Sequence, residues 1–222
     1  MSQVAPTEPQ RTGVLILAAG AGRRMGERAK CLLEVQGQSL LERLVKAVQS
    51  LGLQAPVLVL GHHAADIQAH LATWPEHLPP RTVLNPAPAD DPASSLHTGL
   101  HALDGGTPAV MVLLADQPLI DAADIGAVLA AFERRPPGCQ VLLPVVHGVP
   151  GHPVMFTAAV RADLLAVPGS SLRQWRTANP QAAWPWAVDN AHFTRDLDTP
   201  DDVDALARET GWVCRWPEPA GG

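Results

Sequence analysis

The residues best suited to chemistry lie in a glycine-rich stretch near the start of the chain. An unbroken apolar run from Val14 to Leu17 leads directly into Ala18-Ala19-Gly20-Ala21-Gly22-Arg23-Arg24-Met25-Gly26, and Arg28 and Lys30 follow. Glycines have no Cβ, so the backbone N–H groups of such a loop can turn toward a ligand. Amide donors combined with several cations predict a binding site for phosphate. A tight turn that carries solvated arginines is the alternative.

Two familiar glycine motifs do not fit this spacing. A P-loop requires Lys followed by Ser or Thr, whereas Lys30 precedes Cys31. A dinucleotide fingerprint requires its third glycine at the position of Met25 and an acidic residue near Leu60, at the end of the second strand. These departures disfavour both a P-loop protein and a nicotinamide-dependent oxidoreductase.

Two further candidate sites contain aspartates. Asp116 lies where another apolar run ends, and a carboxylate at the edge of a sheet loses solvation, so it needs a partner such as a divalent cation. Asp196 and Asp198 alternate around Leu197 as on a short strand, and one of them could join Asp116 around Mg²⁺. The alternatives are a helix or turn cap for Asp116 and a helix N-cap for Asp198.

The elements that must position these residues alternate between strands and helices. We predict strands at 14–18, 57–60, 82–84, 109–114, 141–146 and 153–156, and helices at 39–51, 64–71, 94–103, 121–132, 172–178 and 201–210. This alternation predicts an α/β fold of three layers, α/β/α and Rossmann-like, with a mostly parallel sheet. Ligands bind such sheets at the carboxyl ends of the strands, where both Gly20 and Asp116 lie.

Length, charge and cysteine content limit the number of domains, the kinds of partner and the location of the protein. With 222 residues and a formal net charge of −6, we expect one domain over residues 13–216, disordered tails at 1–12 and 217–222, and no attraction for nucleic acid. No apolar run approaches the roughly 18 residues that cross a bilayer, so we expect no membrane association. The three cysteines are far apart and have no metal-ligand spacing, which predicts a cytoplasmic location.

Six motifs, taken in order over about residues 13–210, resemble the nucleotidyltransferases that load a nucleotide onto the molybdenum cofactor. The motifs are Leu17-Ala18-Ala19-Gly20-Ala21-Gly22-Arg23-Arg24-Met25-Gly26 with Lys30, Asn85, Ser94-Ser95-Leu96 with Gly99-Leu100, Asp116-Gln117-Pro118-Leu119, Gly151-His152-Pro153, and Asp196-Leu197-Asp198-Thr199-Pro200-Asp201-Asp202. The resemblance implies a fold of the nucleotide-diphospho-sugar transferase type. It also implies Mg²⁺-dependent transfer of a nucleoside monophosphate from a nucleoside triphosphate to a molybdopterin-type acceptor, with release of pyrophosphate.

The resemblance assigns roles to individual residues. It implies Arg24, Lys30 and Asp116 as catalytic residues, and Asp116 with Asp196 or Asp198 as ligands of Mg²⁺. The implied nucleotide-binding residues are Leu17, Ala18, Ala19, Gly20, Gly22, Arg24, Lys30, Asn85, Ser95 and Asp116. The implied acceptor-binding residues are Gln117, Gly151, His152 and Pro153.

The first motif also indicates the base. Its Leu-Ala-Ala-Gly form is similar to the cytidylyl branch of that family, whereas Leu-Ala-Gly-Gly accompanies guanylyl transfer, so Ala19 implies CTP as the donor. Pro168-Gly169-Ser170-Ser171-Leu172-Arg173 stands where the family has a Gly-Ala-Arg element after its Pro-Gly turn. A molybdoenzyme is a further candidate partner. Two alternatives stay open: a transferase for another acceptor such as a sugar phosphate, and a non-catalytic nucleotide-binding accessory protein for a molybdoenzyme.

Overall fold

The helices and strands follow the predicted alternation closely. The computed structural model describes residues 11–76, 78–88 and 92–217. Its strands are β1 (Thr12–Ala18), β2 (Glu34–Val35), β3 (Gln38–Ser39), β4 (Val57–Leu60), β5 (Arg81–Leu84), β6 (Ala109–Leu114), β7 (Val141–Val146), β8 (Val149–Pro150), β9 (Val154–Thr157), β10 (Ala183–Ala187) and β11 (Cys214–Arg215). Its α-helices are α1 (Leu40–Ser50), α2 (Ala64–Leu71), α3 (Pro92–Ala102), α4 (Ala122–Glu133), α5 (Ala158–Ala166), α6 (Leu172–Ala178) and α7 (Pro200–Thr210).

The central sheet has eight strands in the order β10-β7-β9-β6-β1-β4-β5, with β8 paired to β7. The pairs β1·β4, β1·β6, β4·β5 and β10·β7 are parallel, whereas β9 and β8 run antiparallel to their neighbours. The predicted mostly parallel sheet is therefore confirmed. The parallel strands end at one edge, and the glycine-rich loop and Asp116 follow β1 and β6 at that edge.

Helices cover both faces of the sheet. Successive side chains of a strand point to opposite faces, so Val14 and Ile16 of β1 pack with α1, α2 and α4, while Leu15 packs with α3 and α5. A third apolar cluster, here called the C-terminal cluster, joins the small sheet β11-β2-β3 to α7; its buried members are Leu33, Val35, Leu40, Leu197 and Leu206. The predicted three-layer α/β/α architecture is confirmed.

The start of α7 bears directly on the candidate site. The Thr199 hydroxyl accepts a hydrogen bond from the Asp202 N–H, the Asp202 carboxylate accepts one from Thr199, and Pro200 is the first helical residue. This capping box assigns the N-cap to Thr199. The alternative role of Asp198 as the helix cap is therefore wrong, and its carboxylate is available for other contacts.

Several elements were missed or misassigned by the sequence patterns. β10 contains Pro185, which cannot donate to a sheet ladder, and the strand is tolerated because it lies at the sheet edge. α5 buries Arg161, whose guanidinium donates to three carbonyl oxygens at the end of α3, so a charged residue interrupts its apolar pattern. The residues from Asp196 to Asp198 form no strand, contrary to the expected alternation.

The predicted tails fall mostly outside the described residues. Thr12 is buried and begins β1, so the strand starts one residue inside the predicted N-terminal tail. No helix in the described ranges is long and apolar enough to cross a membrane.

The glycine-rich loop after β1 requires glycine at specific positions. A short 3₁₀ turn, Arg23–Met25, lies between Gly22 and Gly26, which adopt left-handed φ angles of 61° and 69°. A Cβ at Gly22 would collide with the carbonyl oxygen of Arg28, whereas a Cβ at Gly26 would meet open space. The two glycines therefore share the same backbone conformation but differ in their surroundings.

This difference predicts unequal costs for two alanine variants. Gly26→Ala should lower the free energy of unfolding by about 1 to 2 kcal/mol, the cost of a left-handed conformation for a residue with a Cβ. Gly22→Ala should lower the free energy of unfolding by at least about 1 kcal/mol more than Gly26→Ala does, because the backbone near Arg28 must also move. Urea unfolding of both variants measures the difference, and equal costs would contradict the close approach.

Candidate active site

A cavity of about 410 Å³ opens at the carboxyl edge of the sheet. The glycine-rich loop forms one wall, the end of β6 forms the floor, and α3 and the segment before α7 contribute single side chains. The lining residues are Leu17, Ala18, Ala19, Gly20, Ala21, Gly22, Arg23, Arg24, Ala29, Lys30, Cys31, His62, Ser95, Leu114, Ala115, Asp116 and Asp198. Most of the residues predicted from the sequence to bind nucleotide thus surround one space.

Two histidines after β4 hold the glycine-rich loop against the sheet. The Nδ1 atom of His62 lies 3.1 Å from the carbonyl oxygen of Ala19, and the Nε2 atom of His63 lies 2.9 Å from that of Ala21. A carbonyl oxygen only accepts, so each ring nitrogen donates. Neither histidine was predicted from the sequence to belong to the site, although their position directly after a parallel strand was a usable signal.

At the charged centre of the cavity, side chains from three segments of the chain form ion pairs. The Nζ atom of Lys30 lies 2.6 Å from Asp198 and 3.3 Å from Asp116, and the guanidinium of Arg24 lies 2.8 Å from the other oxygen of Asp198. Lys30 is mostly enclosed, with 19% of its side chain exposed, whereas Arg24 is 67% exposed. Two cations and two carboxylates therefore balance one another inside the cavity.

The surroundings shift the protonation equilibria of these groups. Burial lowers the pKa of Lys30, but its hydrogen bond to Asp198 and the nearby carboxylate charges outweigh burial and raise the pKa overall. Burial raises the pKa of Asp116 despite the opposing charge of Lys30. The hydrogen bond from Lys30 lowers the pKa of Asp198, against a smaller effect of burial. Lys30 and Asp198 consequently stay charged at neutral pH.

Two of the three aspartates predicted to hold a metal converge on one point. Asp116 and Asp198 both contact the ammonium of Lys30, so a single cation between them is within reach of two carboxylates. Asp196 makes no such contact; burial and the charge of Asp116 raise its pKa to about 6. Within the described ranges, no group of three His, Cys, Asp or Glu side chains is arranged to hold a metal ion.

Asn85 lies behind the cavity wall rather than in it. This buried side chain donates from Nδ2 to the hydroxyl oxygens of Ser94 and Ser95, each at 3.0 Å, and accepts from the N–H of Ala87. Only Ser95 of these residues lines the cavity. Asn85 can therefore orient the Ser95 hydroxyl, whereas the motif resemblance implied that Asn85 binds the nucleotide itself.

The residues predicted to bind the acceptor gather around one backbone carbonyl beside the cavity. The carbonyl oxygen of Phe193 accepts from the N–H of His152 and from Nε2 of Gln117, at 2.9 and 3.0 Å. A Cβ at Gly151 would collide with the same oxygen, which explains the glycine, and the His152-Pro153 peptide is cis. None of these residues lines the cavity, but Gln117 directly follows Asp116.

Cys31 lines the cavity directly after Lys30. Its thiol is buried, and burial together with the charge of Asp116 raises the pKa of Cys31 to about 12. A thiol that stays protonated is a poor nucleophile. Packing is therefore the role that the structure supports for this cysteine.

A family model described as the MobA-like NTP transferase domain matches residues 14–183. The bifunctional protein GlmU of Streptomyces griseus is 34% identical over 119 residues, which are 53% of this chain and 24% of that protein. GlmU of Mycobacterium avium is 30% identical over 150 residues, which are 66% of this chain and 30% of that protein. The chain thus spans less than a third of the length of these relatives.

Solved structures share the fold. Rv0371c from Mycobacterium tuberculosis has a TM-score of 0.72 at 24% identity, covering 90% of this chain and 98% of that one, and its manganese complex has a TM-score of 0.69 at 21% identity, covering 90% and 100%. Molybdopterin-guanine dinucleotide biosynthesis protein A from Archaeoglobus fulgidus has a TM-score of 0.65 at 16% identity, covering 90% and 99%.

These likenesses agree with the fold type that the sequence motifs implied. The family model covers the glycine-rich loop, β4, Asn85, α3, Asp116 and the Gly151-His152-Pro153 turn, so the match includes most of the cavity wall. The chain belongs to the MobA-like NTP transferase domain family.

Proposed function

We propose that this protein transfers a nucleoside monophosphate from a nucleoside triphosphate, with CTP as the favoured donor, to a molybdopterin-type acceptor that carries a phosphate. Pyrophosphate is the second product, Mg²⁺ is the cofactor, and the reaction takes place in the cytoplasm. The observation that carries the proposal is the convergence of Lys30, Asp116 and Asp198 in a cavity walled by a glycine-rich loop.

The loop and its cations suit a triphosphate. Gly20 has open space where a Cβ would lie, so a phosphate can approach the loop backbone closely. Lys30 and Arg24 are both paired with Asp198 in the structure, and a triphosphate carries more negative charge than one carboxylate. A bound triphosphate can therefore take over these two cations and leave Asp198 for another partner.

Asp116 and Asp198 are the residues that would hold Mg²⁺. They already share one cation, Lys30, and the ion commonly binds through one or two carboxylates together with phosphate oxygens. When bound there, Mg²⁺ would supply positive charge beside the α-phosphate. Asp196 is the weaker candidate of the predicted set, because it forms no ion pair with Lys30, whereas Asp116 and Asp198 both do.

The reaction itself joins two anions. An oxygen of the acceptor phosphate attacks the α-phosphorus, the bond from that phosphorus to the bridging oxygen breaks, and its electron pair leaves on pyrophosphate. The protein must screen negative charge and align three atoms, and it needs no side-chain nucleophile. In this proposal Lys30, Arg24 and the loop amides stabilise the charge that develops on pyrophosphate.

Asp116 can be tested without disturbing the fold. Its carboxylate faces the cavity, while its backbone carbonyl accepts from the N–H of Leu197, a contact that a side-chain change leaves in place. Asp116→Ala should lower the rate of Mg²⁺-dependent pyrophosphate release by at least about 100-fold, with little change in thermal unfolding. Asp201→Ala, an exposed aspartate in the first turn of α7, is the control. Turnover of Asp116→Ala within a few-fold of the parent would contradict the metal role.

The two cations of the glycine-rich loop, Lys30 and Arg24, should contribute unequally to stabilisation of the transition state. Removal of one preorganised charge-stabilising group costs about 2 to 4 kcal/mol of transition-state stabilisation, and Lys30→Ala should lie at the upper end because its ammonium is enclosed. Arg24→Ala should lie at the lower end, because solvent screens its exposed guanidinium. Values of kcat/KM give both costs, with Lys46→Ala as a surface control. If both variants keep the parent kcat/KM, the loop is only a structural turn.

The base preference depends on Ala19. This residue lines the cavity, and Gly61 lies directly against it, so its methyl group is fixed in place. One methyl beside a base can be worth about 1 to 3 kcal/mol of discrimination, so CTP should exceed GTP by at least about tenfold in kcat/KM. Ala19→Gly should narrow that ratio, and Ala21→Gly, from the same wall, should not. Equal or better use of GTP by the parent protein, at matched Mg²⁺, would remove the cytidylyl assignment.

One measurement separates the open alternatives. Pyrophosphate release is scored for a panel of nucleotides with no acceptor, with a sugar phosphate and with molybdopterin. Release that requires molybdopterin supports the proposed acceptor, and release with the sugar phosphate supports the other transferase. A protein that binds nucleotide but releases no pyrophosphate under any condition is an accessory binding protein.

A further inference from the structure

A strained turn closes the glycine-rich loop. Glu27 has a φ angle of 55°, which is left-handed, directly after the left-handed Gly26. A residue with a Cβ is disfavoured in this conformation and keeps it only where the surroundings hold it there. Glu27 is exposed, so packing of its own side chain in the core does not hold it. The contacts of its neighbours must therefore fix the turn.

Contacts within the loop hold one side of the turn. The carbonyl oxygen of Gly22 accepts from the N–H of Met25 at 2.8 Å and from that of Glu27 at 3.1 Å. The backbone of Gly22 also packs against the carbonyl oxygen of Arg28, which leaves no room for a Cβ. Arg28 thus closes the loop, two residues before Lys30.

A tryptophan holds the other side of the turn. The guanidinium carbon of Arg28 lies 5.2 Å from the ring centre of Trp216, within range of a cation–π contact. Trp216 directly follows β11 and packs against the C-terminal cluster. In the ladder between β11 and β2, Arg215 is the partner of Glu34. Trp216 is therefore carried by a framework that does not belong to the glycine-rich loop.

The same cluster contains a matched contact that does not reach the loop. Trp212 also packs against the C-terminal cluster, and the guanidinium carbon of Arg43 lies 4.8 Å from its ring centre. Arg43 belongs to α1 and is not among the described residues that line the cavity. The two pairs share their chemistry and differ in the segment that the arginine belongs to. Trp212 is therefore a control for Trp216.

We propose that Trp216 is a positioning residue for the bound triphosphate. By holding the side chain of Arg28, it keeps the strained turn at Glu27 closed. Arg24 and Lys30, on either side of that turn, then have their positions before the nucleotide arrives. The proposal deepens the proposed transferase function and rests on it. A loop that is ordered in advance loses less conformational freedom on binding, so its affinity for phosphate is higher.

The test uses the full chain and tripolyphosphate with Mg²⁺, a probe that has the phosphates of a nucleotide but no base. Trp216→Leu keeps apolar bulk in the C-terminal cluster and removes the aromatic ring. It should weaken tripolyphosphate binding, measured by calorimetry, at least about fivefold. Trp216→Phe, which keeps a ring, should lie closer to the parent, and Trp212→Leu should bind like the parent.

A double-mutant cycle tests whether Trp216 acts through Arg28. Arg28→Met keeps the apolar stem of the side chain and removes its charge. If the two residues act together, Arg28→Met should weaken tripolyphosphate binding at least about threefold less in the Trp216→Leu background than in the parent. Additive effects would mean that Arg28 attracts the phosphate by itself, and they would overturn the proposal.

The strained turn offers a rescue that a purely structural role of Trp216 would not show. Glycine adopts the left-handed conformation without strain, so Glu27→Gly in the Trp216→Leu background should restore about half of the lost affinity on a logarithmic scale. Glu27→Ala removes the same carboxylate but keeps a Cβ, and it should restore none. Equal tripolyphosphate binding by these two double variants would overturn the proposal.

Hydrogen exchange of the nucleotide-free protein separates the two possible failures. The N–H groups of Met25 and Glu27 should exchange at least about threefold faster in Trp216→Leu than in Trp212→Leu. Equal exchange overturns the proposal, whatever the protein binds. Faster exchange with unchanged tripolyphosphate affinity also overturns it, because the turn then does not position the phosphates. If the parent binds neither CTP nor tripolyphosphate, the transferase function fails, and the exchange rates still decide whether Trp216 holds the turn.

Discussion

The ammonium of Lys30, held between Asp116 and Asp198, is the interaction on which the candidate site depends. It joins the glycine-rich loop, the end of the central strand β6 and the segment before α7. With Arg24 on the outer side of Asp198, two positive and two negative groups form a balanced cluster. Burial of a lone charge is costly, so each of these groups makes the enclosure of the others tolerable. A polyanion that enters with a divalent cation would supply a new partner to the cations and to the carboxylates of this cluster.

The C-terminal cluster explains how this charged centre keeps its geometry. Leu33 follows the Lys30 turn, and Leu197 precedes Asp198, and both are fully buried in the same cluster. Strand β11 pairs with β2, and the guanidinium of Arg28 lies 5.2 Å from the ring centre of Trp216. Apolar packing thus holds two oppositely charged segments side by side, and the ion pairs need not do so alone.

The sequence alone predicted the layers, the parallel sheet and most of the cavity wall, because each depends on local patterns: apolar runs, helix caps and glycine spacing. The ion pair of Asp198 with Lys30, the hydrogen bond of Asn85 to Ser95 and the contact of His62 with the loop depend on which side chains meet across the fold. No local sequence pattern shows which side chains come into contact across the fold. β10 was missed for a related reason, since Pro185 is compatible with a strand only at an edge, and sequence does not reveal which strand is the edge.

The separation of the charged partners along the chain has a consequence for biosynthesis. Lys30 and Asp198 are 168 residues apart, and Asp198 lies beyond the region that the family model matches. At about 5 to 20 residues per second, a ribosome needs roughly 10 seconds or more to make that interval. The nascent chain contains β1 through β9 and the glycine-rich loop well before Asp198 and the strand β11 exist. Until Asp198 is made and docked, Asp116 is the one carboxylate of this cluster that the chain can offer to Lys30 and Arg24, so these two cations of the glycine-rich loop lack the partner that they share in the folded protein.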